Sequence, residues 1–380
     1  MSFPFEDYVI KAEELGKSKD FISLTLAYAK NLDNKGFPVI FSLENLALLM
    51  GLQSDYLRAL TGEAKNNSSN PPFKLKRYSY FKLKKERGGY REIASPSKDL
   101  KYIQKWILKN ILEKYPLTDN CIGFREGLSI YDNAKPHENK KYILKLDLLK
   151  FYDTITEKRV YGVFSSFGYS KNLAVSLAKL LTVRHRSNYW QSFDTEDQKI
   201  LKDLIDKRPA ILPQGSPASP TIANIIANNL DKRIIGLSKK YGFKYTRYAD
   251  DLTFSANHKK RLPKIKLITE IILEEGFQLN KKKIRVSKMG SKQYVTGLTT
   301  SNGINVSKKY RKEINSQIHY CKKHGVKSHL KHTTMSKAKN KSILVYHDWL
   351  YGHICFIKSI NKKAGNKLLE EFKKIDWFLE

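Results

Sequence analysis

The sequence predicts a mixed α+β protein of two or three subdomains, helical at both ends and strand-bearing in between. Three observations carry that prediction. The 380 residues are 41% hydrophobic and 12% aromatic, enough for a sizeable core and too apolar for global disorder. Short apolar runs bounded by Gly, Asn or Asp fall between residues 81 and 255. Outside that stretch, apolar residues recur three and four apart, the spacing of one helix face.

The elements follow in order. Ser42 to Met50, Gly51, then Ser54 to Leu60 reads as helix, tight turn, helix, with Ser42 and Ser54 as N-caps and Gly51 as the residue past the first helix. A DNA-reading helix-turn-helix has this outline, but residues 1–70 hold 7 Lys and Arg against 9 acids. A structural helical hairpin suits that acidity better. Gly62 to Pro72 is a polar connector rich in Asn, Ser and Pro, and marks a boundary. Phe81–Lys85 and Tyr90–Ala94, joined through Gly88-Gly89, form a hairpin. Leu100, Ile103, Ile107 and Ile111 line one helix face, and Tyr142–Leu148 is a buried strand. Pro220 opens a helix faced by Ile222, Ile225, Ile226 and Leu230. Lys244–Tyr248 and Leu252–Ser255 flank a tight acidic turn, and Tyr310–Leu330 and Trp349–Phe378 are basic helices.

Charge narrows the function. There are 70 Lys and Arg against 37 acids, a formal net charge of +33. Such an excess on a folded chain favours a polyanionic partner. It is concentrated late: residues 307–345 carry 11 Lys and Arg against the single acid Glu313. No apolar run is long enough to span a membrane, and Met1 to Lys17 lacks a signal peptide's apolar stretch. Cys121, Cys321 and Cys355 lie far apart, without metal-ligand spacing, as in a chain of the reducing cytoplasm. The expectation is a cytoplasmic nucleic-acid binder.

Two acidic clusters then stand out. Asp147 ends an apolar strand, and Asp250-Asp251 occupies a turn between two more. A lone strand-end Asp is ordinary. Carboxylates brought together from neighbouring strands supply the hard oxygen ligands that Mg²⁺ takes alongside water and substrate phosphates. Two such ions serve phosphoryl transfer by activating the attacking hydroxyl and stabilising the leaving oxygen.

Tyr248-Ala-Asp-Asp251 resembles motif C of reverse transcriptases, and Asp147-Leu-Leu-Lys-Phe-Tyr-Asp153 is similar to their motif A. Leu212-Pro-Gln-Gly-Ser-Pro-Ala-Ser-Pro-Thr-Ile-Ala-Asn224 resembles motif B, and Gly276-Phe-Gln-Leu-Asn280-Lys-Lys-Lys283 motif D. Lys85 with Gly88-Gly89-Tyr-Arg91-Glu-Ile-Ala-Ser-Pro96 looks like the fingers motif of the bacterial, group-II-intron-like branch. Asn133-Ala-Lys-Pro-His137 and Val295-Thr-Gly297 match the NAxxH and VTG elements that together mark retron reverse transcriptases.

The resemblance implies a right-hand polymerase: an N-terminal helical extension (1–72), fingers and palm (73–305) and a basic helical thumb (306–380). It implies that Asp147, Asp250 and Asp251 hold two Mg²⁺ ions. Lys85 and Arg91 would clamp the triphosphate, Gln214 and Gly215 would admit the nucleotide against backbone, and Lys283 would meet the departing pyrophosphate. Phe151 or Tyr152 would exclude a 2′-hydroxyl; the sequence leaves that choice open. Asn133, His137, Val295, Thr296 and Gly297 would read the cognate RNA, and Lys308, Lys309, Arg311 and Lys312 would track duplex phosphates.

The implied partners are dNTPs, a structured noncoding RNA serving as template and 2′-hydroxyl primer, its cDNA, and an accessory effector in anti-phage defence. The rival expectations are an abortive-infection or intron-type reverse transcriptase, or a catalytically silent RNA-binding scaffold. Between motifs A and B, Gly168–Leu212 is long and carries an acidic patch at Asp194–Asp203; it reads as a solvated insertion, with a partner or RNA contact as the alternative.

Overall fold

The computed structural model describes residues 3–62, 76–84, 89–332 and 342–377. Lys85 and Gly88, and all but the first residue of the Gly62–Pro72 connector, lie outside the described residues.

Four helices open the chain: α1 (Phe5–Glu14), α2 (Lys19–Asn34), α3 (Leu43–Met50) and α4 (Ser54–Thr61). Ser42 caps α3 by accepting from the Asn45 amide at 3.2 Å, and Gly51 closes it with φ +68°. The N-cap of α4 is Gln53, so Ser54 is already helical and does not cap. Next come β1 (Tyr78–Lys84), β2 (Tyr90–Pro96), α5 (Lys98–Asn110), α6 (Ile130–Ala134) and β3 (Tyr142–Asp147). Helices α7 (Glu157–Phe167), α8 (Lys171–Leu181), α9 (Ser187–Gln191), α10 (Thr195–Ile200) and α11 (Lys202–Lys207) follow. After α12 (Ser219–Ile226) and α13 (Asn228–Tyr241) come β4 (Lys244–Tyr248), β5 (Asp251–Ala256) and α14 (Ile265–Glu274). Strands β6 (Arg285–Lys288), β7 (Tyr294–Val295) and β8 (Leu298–Thr299) precede α15 (Lys308–His324), α16 (Val326–His332), α17 (Ile343–Ile360) and α18 (Lys362–Lys373).

These elements sort into two compact units. The first comprises Met1–Phe124, Leu148–Ile234 and Ile265–Asn280. Its antiparallel β1–β2 hairpin pairs Leu83 with Arg91 and Tyr80 with Ala94. Leu100, Ile103, Ile107 and Ile111, the expected apolar stripe of α5, are all fully buried. The buried Gln104 amide donates to the Tyr78 hydroxyl and to the Leu180 carbonyl, both at 3.0 Å, joining α5 to β1 and α8. Pro220 sits in the first turn of α12, where its missing amide proton costs no hydrogen bond.

Residues 168–212 depart from the solvated insertion that their charge suggests. Trp190, Phe193, Leu201 and Ile211 are buried and form a core with Leu149. The charges that dominate the sequence here lie on the outside of a packed segment.

The second unit comprises Arg125–Asp147, Ile235–Lys264 and Lys281–Glu380. It is built on an antiparallel four-stranded sheet of order β4-β5-β3-β6. Strand β3 is central, which explains its almost unbroken apolar run. The helices beyond residue 306 are shorter than the sequence suggests, broken at Gly325 (φ +73°) and at Asn361, whose side chain caps α18. Their apolar faces share one core with the sheet region: Ile143 of β3 and Val295 and Leu298 of the β7–β8 hairpin cluster with Ile314, Tyr346, Leu350 and Ile354. Among the described residues, no helix is long and apolar enough to cross a membrane.

Candidate active site

The acid cluster forms where β3, β4 and β5 meet. Strands β4 and β5 pair Tyr248 with Asp251, leaving Ala249 and Asp250 as a two-residue turn. Ala249 has φ +55°, the left-handed conformation that tight hairpin turns require and that alanine adopts only under constraint. Arg247 supplies part of the constraint: it is fully buried and donates from Nη1 to the Ala249 carbonyl at 3.2 Å. On the other side of β5, Asp147 is the register partner of Asp251. The turn predicted from sequence therefore brings Asp250 and Asp251 to the end of the strand that finishes in Asp147.

The electrostatics suit this site to a cation. Burial, reinforced by the charges of Asp147 and Asp251, pushes the Asp250 carboxyl up to about 6. Two lysines offset the others. Lys283 Nζ donates to Asp147 Oδ2 at 2.8 Å, and Lys145 Nζ lies 3.7 Å from Asp251 Oδ2. Lys283 is the last of the three adjoining lysines, and it meets Asp147 directly. Lys145 was not expected from the motifs, although its position signals it: it lies two residues before Asp147, on the same face of β3. Among the described residues, no three His, Cys, Asp or Glu side chains converge as a ready-made metal cage. The donor set nevertheless fits a hard divalent ion, which takes one or two carboxylates and completes its shell with water and substrate phosphate.

The residues implied for the nucleotide lie mostly in the first unit. Arg91 is exposed on β2. Phe151 is buried, its ring 5.4 Å from that of Phe277, whereas Tyr152 is partly exposed. Of the two aromatics, Tyr152 is thus the one with ring surface to offer a sugar. Gly215 lies close to backbone of its own unit. Its φ is +125°, and a Cβ there would lie 2.7 Å from the Ala94 carbonyl oxygen and 2.9 Å from Ile93 Cγ2. The adjoining Gln214 carbonyl accepts from the Ala94 amide at 2.8 Å. The close approach that demands glycine is to strand β2 of the same unit.

The retron-marking residues require a correction. Asn133 and His137 are fully buried, so neither can meet a base edge or a 2′-hydroxyl directly. His137 Nδ1 lies 2.7 Å from Ser255 Oγ and Nε2 lies 2.8 Å from Thr246 Oγ1, one hydroxyl from each strand of the acid-bearing hairpin. Burial, with Lys140 and Lys145 nearby, pushes its imidazole down to about 3 and keeps it neutral. Asn133 Nδ2 donates to Thr296 Oγ1 at 3.3 Å, and that hydroxyl donates to the Ile130 carbonyl. Val295 is buried and pairs with Leu298; Thr296 (φ +45°) and Gly297 (φ +85°) form the turn between them. Gly297 has open space around the position of a Cβ, so its conformation, rather than a close approach, calls for glycine. Asn133, His137 and Val295 brace the fold from inside, while Thr296 is half-buried and Gly297 is exposed. Sequence alone could not separate bracing from RNA reading, because Asn and His serve both.

On α15, Lys308, Lys309 and Lys312 are exposed and Arg311 is half-buried. The first three present their charge to solvent, as a phosphate-tracking face requires.

An acid-tipped hairpin in register with a third aspartate, on an antiparallel sheet beside a basic helical region, defines the palm of a right-hand nucleic-acid polymerase. The family model for reverse transcriptase (RNA-dependent DNA polymerase) matches residues 82–327. Retron Ec86 reverse transcriptase of Escherichia coli is 32% identical over 91% of this chain and 92% of its own. Retron Mx65 reverse transcriptase of Myxococcus xanthus is 30% identical over 89% of this chain and 73% of its own. The chain belongs to the retron reverse transcriptases and is an RNA-directed DNA polymerase. Among solved structures, a Candida albicans telomerase with a telomeric RNA fragment aligns over 78% of this chain and 61% of its own, at 12% identity and a TM-score of 0.42. That likeness is too loose to add to the assignment.

Proposed function

We propose that the enzyme extends a primer hydroxyl along an RNA template by in-line attack on a dNTP α-phosphate, with release of pyrophosphate. The observation that carries this reading is geometric: the register of β3 and β5 sets Asp147 opposite Asp251, with Asp250 in the adjoining turn. These three carboxylates would hold two Mg²⁺ ions; when bound, such ions polarise the attacking hydroxyl and neutralise the leaving oxygen. Lys283, already on Asp147 and half-exposed, is the cation that would turn to the departing pyrophosphate. Arg91 and Lys85 are assigned by resemblance to the triphosphate; of Phe151 and Tyr152, the partly exposed Tyr152 is taken as the one that excludes a 2′-hydroxyl. Gln214 and Gly215 support that pocket through their contact with β2. Lys308, Lys309, Arg311 and Lys312 belong to a thumb that follows an A-form duplex by its phosphates and 2′-hydroxyls.

Membership of the retron group further supports a structured noncoding RNA as both template and 2′-hydroxyl primer. The product would be branched RNA–DNA made in the cytoplasm, with an accessory effector and a role in anti-phage defence. Sequencing the nucleic acid that co-purifies with the protein, before and after debranching of 2′–5′ linkages, tests this reading. One RNA species joined to its own cDNA through a single internal nucleotide is expected; linear, unjoined cDNA from mixed templates would overturn it.

A further inference from the structure

The chain enters and leaves the segment between motifs A and B at one point. Val183 and Ile211 exchange backbone hydrogen bonds of 2.8 and 2.9 Å, so the residues between them are not needed to connect α8 to motif B. A detour of this kind is kept ordered only by what it packs against.

It packs against the motif A turn. Lys150 has φ +47°, a conformation that a non-glycine residue holds only when its surroundings impose it. One side of the turn is held by motif D, where the Leu149 amide donates to the Gln278 carbonyl at 2.7 Å, and the other by the detour. Leu149 shares its core with Trp190, Phe193, Leu201 and Ile211. Lys150 Nζ sits 3.6 Å from the centroid of the Phe193 ring and 3.9 Å from Asp197 Oδ2. The buried Asp153 carboxylate accepts a short hydrogen bond from the Tyr189 hydroxyl. Residues 149, 150 and 153 are thus gripped from one side and Phe151 is packed on Phe277, which fixes the backbone from which Tyr152 projects. The other end of the detour reaches β2: the ring of His185 stacks on Tyr189 at 3.8 Å, and its Nδ1 lies 3.3 Å from Glu92 Oε1, beside Arg91.

We infer that the 184–210 segment is a positioning clamp for the motif A turn, and that through Tyr189 and Asp153 it sets how strictly the enzyme rejects ribonucleotides. The inference rests on the reading of Tyr152 as the residue facing the sugar. A gate of this kind discriminates by steric clearance, so a small shift of its backbone matters more to a 2′-hydroxyl than to a 2′-hydrogen. Asp153 and Tyr189 are positioning residues, since neither is required to touch the nucleotide.

The experiment compares incorporation of a dNTP and its matching NTP on an annealed DNA primer and RNA template, for wild type, Tyr189→Phe, Asp153→Asn and the double variant. Tyr189→Phe removes only the hydroxyl and keeps the ring on His185. Each single variant should lower dNTP-over-NTP discrimination about tenfold, acting on KM with kcat little changed, and the double variant should be no worse than either. Tyr152→Ala is measured alongside. If it leaves discrimination unchanged, the sugar-gate reading fails, and this inference with it. If Tyr152→Ala relaxes discrimination while Tyr189→Phe and Asp153→Asn do not, the gate stands and the clamp is refuted. A fall in kcat alone, with discrimination and KM unchanged, refutes it as well.

Discussion

The β4–β5 hairpin carries two polar clusters that differ in one decisive respect. At its tip, beside Asp147 of β3, burial and the charges of Asp147 and Asp251 displace the Asp250 carboxyl upward to about 6. Further down the same strands, His137 is fully buried, where Asp250 and Asp251 are partly exposed, and has a hydroxyl on each ring nitrogen. In the first cluster Lys283 and Lys145 offset Asp147 and Asp251 but Asp250 stays displaced, and a bound cation would relieve it. The second has nothing left to resolve. Polar residues whose bonds are met inside the protein act as a frame, whereas those left in conflict mark the place where a ligand completes the structure.

The sharpest way to break this comparison is at the tip. Asp147→Asn or Asp250→Asn should reduce dNTP incorporation to background while leaving RNA affinity nearly intact, because each removes a proposed metal ligand and no phosphate contact. Divalent-dependent extension by either variant would remove the tip from the chemistry.

A smaller effect is expected on the basic helices. Neutralising Lys308, Lys309, Lys312 and Lys323 together should weaken duplex binding and flatten its salt dependence by roughly 0.7–0.9 in log–log slope for each phosphate that no longer meets a cation. Titration at several salt concentrations reads this directly, and an unchanged slope would make these charges a merely solvated face.

The smallest effect concerns stability. The imidazole of His137 is held near 3 in the native protein, against 6.5 as its ordinary value. Below pH 6.5 the unfolded chain takes up a proton that the folded chain refuses. The stabilisation is therefore complete above pH 6.5 and declines as pH falls towards 3. By pH 5 the loss from this group is about 2 kcal/mol. His185, pushed down to about 4 by burial, acts in the same direction. Denaturant unfolding at pH 7 and pH 5 should show His137→Gln losing less stability on acidification than wild type by about that amount. Equal losses would mean that His137 is not held neutral.

Legibility in the sequence followed the same division. The acid turn was readable because two adjacent Asp residues stand between two short strands, although the turn proper is Ala249-Asp250 and Asp251 already belongs to β5. Leu100, Ile103, Ile107 and Ile111 were readable because burial follows directly from helical period. Asn133 and His137 were not, since residue type does not say whether a polar side chain finds its partner inside the fold. The 168–212 segment misled for a related reason. Its Arg184, Arg186 and acids are conspicuous, while Tyr189, Trp190 and Phe193, spaced as one face of a short helical stretch, were the better guide. Gly215 showed that a glycine was needed without showing which backbone it admits.

The comparison is tested most directly by giving His137→Gln two substrates: the native structured RNA, extended from its own 2′-hydroxyl, and a generic RNA template with an annealed DNA primer. A frame for the acid-bearing hairpin should fail equally on both, with extension slowed roughly 10–100-fold as for other residues that orient metal ligands, and with the ratio of the two rates unchanged. Loss confined to the native RNA, with normal extension of the annealed primer, would contradict the account and return His137 to RNA recognition.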